Sequence, residues 1–269
     1  VVGTDGRASH ATEIAIPKPV MMHDCAITEN YTIFPDLPLV FDFEKMMAGE
    51  GLVGWDPSNG CRIGIVPRRG DDSSIRWFEI EESFLFHVAN AFEEGDDVVF
   101  QACRSDRGGI VTEEGAEVKD QLGQLHEWRF NMRSGAVQSR AIDREFHCDF
   151  PRINDDYVGY KNRYTYAARF RVEDMPTFDG EMKYDNETGE IEMHYFGDHA
   201  ESGEAVFVPR IGSTKEDDGY VICFVYDRNA GTSECQILDA QNWHADPVAK
   251  IKIPQRVPHG FHAAWVPHG

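Results

Sequence analysis

The sequence predicts an all-β fold on three observations. Short apolar or alternating runs recur along the chain, each bounded by turn residues, as expected of strands half buried against a sheet partner. The gaps carry glycine or aspartate where a tight reversal needs positive φ or a side-chain cap: Asp5-Gly6, Glu94-Gly95-Asp96, Arg133-Ser134-Gly135, Asn186-Glu187-Thr188-Gly189 and Asp217-Asp218-Gly219. Helical periodicity is confined to short pieces, residues 43–47 being the best, and 24 glycines and 13 prolines dispersed along the chain keep long helices out.

Taken in order, the expected strands are residues 26–34, 62–66, 75–80, 98–103, 125–131, 190–195, 206–209, 220–226 and 236–239. Residues 62–66 and 190–195 alternate, whereas 98–103, 206–209 and 220–226 are mostly apolar. Their near-even spacing fits a sandwich, a barrel or a propeller, and periodicity does not choose among them. There is no strict internal repeat and no linker rich in proline, glycine or charge, so residues 1–269 read as a single domain or part of one.

Composition removes several functions. Hydrophobic residues are 41% and charged residues 27%, and no apolar run approaches the roughly 18 residues of a membrane span. With 26 Lys and Arg against 47 Asp and Glu, the net charge of −21 repels phosphate backbones, so nucleic acid is not an expected partner. Cys25, Cys61, Cys103, Cys148, Cys223 and Cys235 are scattered without a CxxC pair, which argues against a zinc or redox motif and for a reduced, cytoplasmic chain. The first residue is Val1, and Val1-Val2-Gly3-Thr4-Asp5-Gly6 reads as a strand end and a tight turn, so an upstream segment is expected.

Phosphate loops, dinucleotide fingerprints, Gly-x-Ser-x-Gly elbows and His-Glu-x-x-His motifs are absent, which leaves histidine as the chemistry-bearing residue. His10, His244 and His268 sit in polar or terminal contexts and are expected to be solvated. His23, His87 and His262 are instead embedded in apolar sequence, where an imidazole must find a partner or cost about 1–3 kcal/mol. A backbone carbonyl would satisfy each one separately. Strands converging on one axis would satisfy all three together, by donating imidazoles to a metal such as iron, zinc or copper.

Seven blocks in order resemble the carotenoid cleavage oxygenases. They are Met21-Met22-His23-Asp24 with Ile27-Thr28-Glu29-Asn30-Tyr31 and Phe34; Phe86-His87-Val88-Ala89-Asn90-Ala91-Phe92-Glu93; Asp149-Phe150-Pro151-Arg152-Ile153-Asn154; Glu204-Ala205-Val206-Phe207-Val208-Pro209-Arg210; Asp217-Asp218-Gly219-Tyr220; Ile237-Leu238-Asp239-Ala240; and Pro258-His259-Gly260-Phe261-His262. The resemblance implies a seven-bladed β-propeller with non-haem Fe(2+) on its axis, held by four histidines. His23, His87 and His262 match three of them, and the remaining one belongs to a block upstream of residue 1, which makes residues 1–269 a partial, C-terminal portion of the propeller domain. It further implies carboxylates behind the histidines, Asp149 for His87 and Glu204 for His262, with Asp149 one methylene shorter than the family's usual Glu. The implied reaction is scission of a conjugated double bond in a carotenoid, apocarotenoid or stilbenoid by O2 into two carbonyl products. Extraction of such a substrate from a membrane would call for an exposed apolar patch and peripheral contact; no protein partner is inferred.

Other readings compete. His147-Cys148-Asp149 offers a His-x-Asp step that, with His199 or His262, would make a 2-oxoglutarate-dependent oxygenase triad, though it leaves His23 and His87 unexplained. A non-catalytic ligand-binding propeller and an isomerase or ester-cleaving relative on the same scaffold are the further alternatives.

Overall fold

The computed structural model describes residues 1–49, 51–108, 118–173 and 177–267. Strands β1 (Ala26–Ile27) and β2 (Tyr31–Asp36) open the first sheet. A short ribbon of β3 (Leu39–Phe41) and β4 (Val53–Trp55) flanks helix α1 (Phe43–Ala48), after which β5 (Arg62–Pro67) and β6 (Arg76–Glu79) complete the sheet in the order β1-β2-β5-β6. The second sheet is formed by β7 (Phe84–Glu94), β8 (Asp97–Ser105), β9 (Gln124–Asn131) and β10 (Val137–Ala141) as an antiparallel meander. The third repeats this with β11 (Cys148–Arg152), β12 (Tyr164–Arg171), β13 (Thr177–Asp185) and β14 (Ile191–Tyr195). In the fourth, β15 (Ala200–Glu201) and β16 (Val206–Pro209) both pair with β17 (Gly219–Asp227), followed by β18 (Thr232–Asp239) and β19 (Ala249–Ile253).

The chain is therefore all-β, as its turn grammar predicts. Each sheet packs on the next. Ile33, Ile63, Ile65 and Phe78 of the first meet Phe84, Phe100, Trp128 and Phe130 of the second. Cys103 and Leu125 of the second meet Cys148, Ala167, Met182 and Tyr184 of the third, and Tyr166 of the third meets Phe207, Val221 and Cys223 of the fourth. Such face-to-face succession of small antiparallel sheets is the blade packing of a propeller, and it brings the leading strand β7 into contact with both β1 and β11.

Helix α1 forms where the short periodic run predicts it. The Asp42 carboxylate caps the amides of Glu44 and Lys45, and Gly49 ends the helix at φ 77°. One predicted strand is corrected: residues 26–34 are two strands, not one. The Thr28 hydroxyl takes the Tyr31 amide at 2.9 Å and donates to Glu93 at 2.6 Å, while Glu93 also binds the Asn30 amide at 2.8 Å, so the chain reverses at residues 28–30. Gly219 is glycine for a reason other than the expected turn, because a Cβ there would lie 2.4 Å from the Val208 carbonyl oxygen. Strands β3, β4, β7, β10, β11, β12, β13, β15 and β19 are not among those expected, β7 being the one that carries His87. In β13 apolar and polar residues do alternate in sequence, but Asp179, Glu181 and Lys183 are buried as well, so its polar face is covered and not solvated.

Candidate metal centre

His87 lies in the middle of β7, at a break in register between Leu85 and Val88 against β8. A bulge of this kind turns a side chain out of the regular alternation. The amide of Val88, freed there, donates to Asp24 Oδ2 at 2.9 Å, which ties β7 to the segment carrying the neighbouring His23. That segment is itself anchored by the Met21 amide on the Leu39 carbonyl at 2.7 Å. His262 arrives on the strand-free segment that follows β19.

The three imidazoles meet. Ring centroids are 5.1 Å apart for His23 and His87, 5.1 Å for His87 and His262, and 6.4 Å for His23 and His262. One nitrogen from each ring lies within 4.8 Å of the others, and this is the one such trio among the described residues. They face a cavity of about 230 Å3, lined also by Asp24, Val88, Pro151, Arg152 and Glu204.

Carboxylates stand behind two of the rings, at the residues the sequence singles out. Asp149 Oδ1 is 2.9 Å from His87 Nδ1, and Glu204 Oε1 is 3.4 Å from His262 Nδ1. A carboxylate can only accept here, so each contact places the proton on Nδ1 and leaves the Nε2 lone pair facing away from the acid. Asp149, despite its shorter side chain, reaches His87 directly. It also accepts the Phe150 amide at 2.8 Å, and Phe150 takes φ 52°, a left-handed conformation costly for a bulky residue. The Phe150 ring then packs 4.8 Å from His87 and 5.7 Å from His262, and Phe86 meets His23 at 5.4 Å, so aromatic rings wall the imidazoles. Asp24 and Phe150 stand in the family-like blocks without a role being foreseen; the adjacency of Asp24 to His23 is the available signal.

The electrostatics differ between neighbours. Burial lowers the His23 pKa, and repulsion from His87 lowers it further. Burial also pulls His87 down, but the Asp149 hydrogen bond and negative charge outweigh it, so its pKa is raised. Three imidazoles form a donor set suited to a divalent transition metal, and the Nε2 of His87 is buried with no protein partner. A metal ligand would satisfy that atom, so the residues present fit the ion.

The alternative triad does not assemble. Asp149 is engaged by His87, and neither His147 nor His199 joins a metal-competent group among the described residues; the His147 Nδ1 is buried without a partner. Of the histidines expected to be solvated, His244 is exposed beside Glu192, but His10 is half-buried with Nε2 2.8 Å from the Gly70 carbonyl oxygen. His268 lies outside the described residues.

Known proteins resemble this chain throughout. It is 42% identical over 287 residues to a carotenoid 9,10(9',10')-cleavage dioxygenase of Crocus sativus, covering 99% of this chain and 52% of that protein. It is 29% identical to the isoeugenol monooxygenase of Pseudomonas nitroreducens, over 99% of this chain and 59% of the relative. Among solved structures, the lignostilbene dioxygenase of Pseudomonas brassicacearum superposes with a TM-score of 0.89 at 29% identity, covering 98% of this chain and 58% of its own. A cobalt-substituted Synechocystis apocarotenoid oxygenase gives 0.81 at 27%, covering 92% and 53%. The chain thus spans about half the length of the curated relatives it matches. The retinal pigment epithelial membrane protein family matches residues 1–267, and with the carotenoid-cleaving relatives this shows that the chain belongs to that family, the carotenoid oxygenases its sequence blocks resemble.

Proposed function

We propose that the protein is a non-haem Fe(2+) dioxygenase that cuts a conjugated carbon–carbon double bond of a carotenoid, apocarotenoid or stilbenoid with O2, giving two carbonyl products. The observation that carries this reading is the convergence of His23, His87 and His262 on a polar cavity in which the buried His87 Nε2 has no protein partner. A ferrous ion held by these three histidines, together with the fourth that the family resemblance implies, would supply oxygen activation, with both oxygen atoms ending in product and no reducing cosubstrate. The chain's own residues do the positioning: Asp149 and Glu204 hold the Nδ1 protons of His87 and His262, and Phe86 and Phe150 shield the rings. Cleavage of carotenoids and of lignostilbene is what the relatives are named for, and this supports an apolar conjugated substrate here.

Residues 1–269 are read as a single partial propeller domain, supported by the packing of each sheet on the next. The proposed setting is cytoplasmic with peripheral membrane contact. No helix of the described residues is long and apolar enough to cross a membrane, while α1 and the residues after it expose Phe43 (60%), Met46 (40%), Met47 (83%) and Leu52 (49%) together, a patch suited to dipping into a lipid surface. The test, made on the complete protein, is oxygen uptake with product analysis across a panel of carotenoids, apocarotenals and stilbenes, without 2-oxoglutarate or reduced nicotinamide. Two carbonyl products per O2 are expected. Geometric isomerisation without oxygen uptake, or retained iron with no turnover on any substrate, would overturn the dioxygenase reading.

A further inference from the structure

We propose that Arg152 is a positioning residue that clasps the His262 segment to β11 and thereby sets metal affinity through a histidine it does not itself touch. The inference rests on the metal reading above for its consequence, though the clasp itself is a matter of geometry.

Arg152 ends β11 and lines the same cavity as the three histidines. A guanidinium has no electron pair to offer a metal and repels a dication, so its place in that cavity requires another role. Its contacts supply one. Arg152 Nη2 donates to the Ala263 carbonyl at 3.3 Å, and Nη1 lies 3.8 Å from Glu204 Oε1. Glu204 in turn accepts the Ala263 amide through Oε2 and faces His262 Nδ1 through Oε1. Arg152 and Glu204 therefore grip the backbone on both sides of Ala263, the residue next to His262. The Glu204 side chain is only 4% exposed, and the nearby cation offsets its buried charge.

This grip matters because little else fixes the segment. Among the described residues it adds no strand to any sheet after β19, and its other polar anchors lie upstream, in the Val257 amide on Ser233 Oγ at 2.8 Å, His259 Nε2 against Glu201 at 3.1 Å and the Arg256 guanidinium 4.7 Å from the Tyr226 ring. The planar fork of arginine can address a carbonyl and a carboxylate at once, which a lysine ammonium does less well.

Cobalt(II) titration of the complete protein followed by visible absorption, for the wild type, Arg152→Gln, Arg152→Lys, His262→Ala and the double variant Arg152→Gln/His262→Ala, tests the proposal. Arg152→Gln is expected to lose about 10–100-fold in cobalt affinity, the range typical of residues that orient a metal ligand. Arg152→Lys should recover part of that loss, and the double variant should bind no more weakly than His262→Ala alone, because Arg152 acts through that histidine. Wild-type affinity in Arg152→Gln, or losses that add in the double variant, would overturn it. Limited proteolysis of the metal-free proteins separates the clasp from the metal: residues 254–267 should be cut faster in Arg152→Gln, and equal rates would sink the clasp. If the wild type takes up no cobalt, the metal reading falls and the cleavage rates decide the clasp by themselves.

Discussion

His87 and His262 stand 5.1 Å apart and are held in opposite ways. His87 is part of an eleven-residue strand, backed by a sheet ladder and by packing against β1 and β11, so the backbone sets its position and Asp149 needs only to orient the ring. His262 has no ladder, and side chains determine both where it is and how it is turned. Hydrogen bonds are worth about 0.5–1.5 kcal/mol each, whereas a strand moves only with its sheet. The same kind of carboxylate–imidazole contact therefore carries different weight in the two places, and removing the carboxylate should show it.

The largest effect is expected at Glu204. Glu204→Ala removes the partner of His262 Nδ1 and of the Ala263 amide together and leaves Arg152 without its buried counter-charge. Cobalt or iron affinity should fall by about 100-fold, the upper end for such residues. Asp149→Asn should cost nearer 10-fold, because the ring keeps its place on β7 and loses only a strong acceptor. Metal titration of the two variants side by side checks the contrast. Equal losses would mean that the strand confers no advantage on His87, and a larger loss at Asp149 would reverse the comparison.

The comparison also explains what the sequence reveals and what it hides. The three histidines and both carboxylates are legible because each sits in a short block whose order matches a known family, and the structure brings all five side chains to one place. Strand β5 is legible from Ile63 and Ile65 buried about Gly64. That β13 buries its polar face as well is not, because Lys183 reaches the Ala240 carbonyl at 2.7 Å and Asp179 pairs with Arg169 and Arg171, partners supplied from elsewhere in the chain. The reversal at residues 28–30 is hidden for the same reason, since Glu93 of β7 holds it. What a distant side chain stabilises, local periodicity cannot report.

A smaller effect sharpens the His262 side. Glu181 of β13 is fully buried with both carboxyl oxygens unpartnered, and its pKa is raised well above the usual carboxylate range, by burial first and by the negative charge of Glu204 second. The unfolded chain gives up this proton near pH 4.3, while the native state retains it to higher pH. Between those limits the native state binds more protons, so this group's contribution to stability falls as pH rises. Glu181→Gln cannot ionise, and its stability should decline less between about pH 5 and pH 8 than that of the wild type. Urea unfolding at both ends of that range measures the difference. A parallel decline in the two proteins would show that Glu181 is already ionised, and its proximity to Glu204 would then need another account.

The smallest expected effect is at His147, and it tests whether the pairing of Asp149 with His87 is the functional one. The Asp149 carboxylate is committed to His87 at 2.9 Å and to the Phe150 amide at 2.8 Å, so a metal triad using His147-x-Asp149 would have to dismantle both contacts. His147 contributes its backbone instead: its carbonyl accepts the Phe170 amide at 2.8 Å, a bond that alanine keeps. Its ring Nδ1 is buried without a partner, so truncation leaves no new unpaired polar group and costs only the packing of one ring. Metal affinity in His147→Ala should therefore stay within about twofold of the wild type, far inside the 10-fold loss expected at Asp149. A loss as large as that of Asp149→Asn would make His147 and Asp149 act as a unit, and the assignment of Asp149 to His87 would have to be given up.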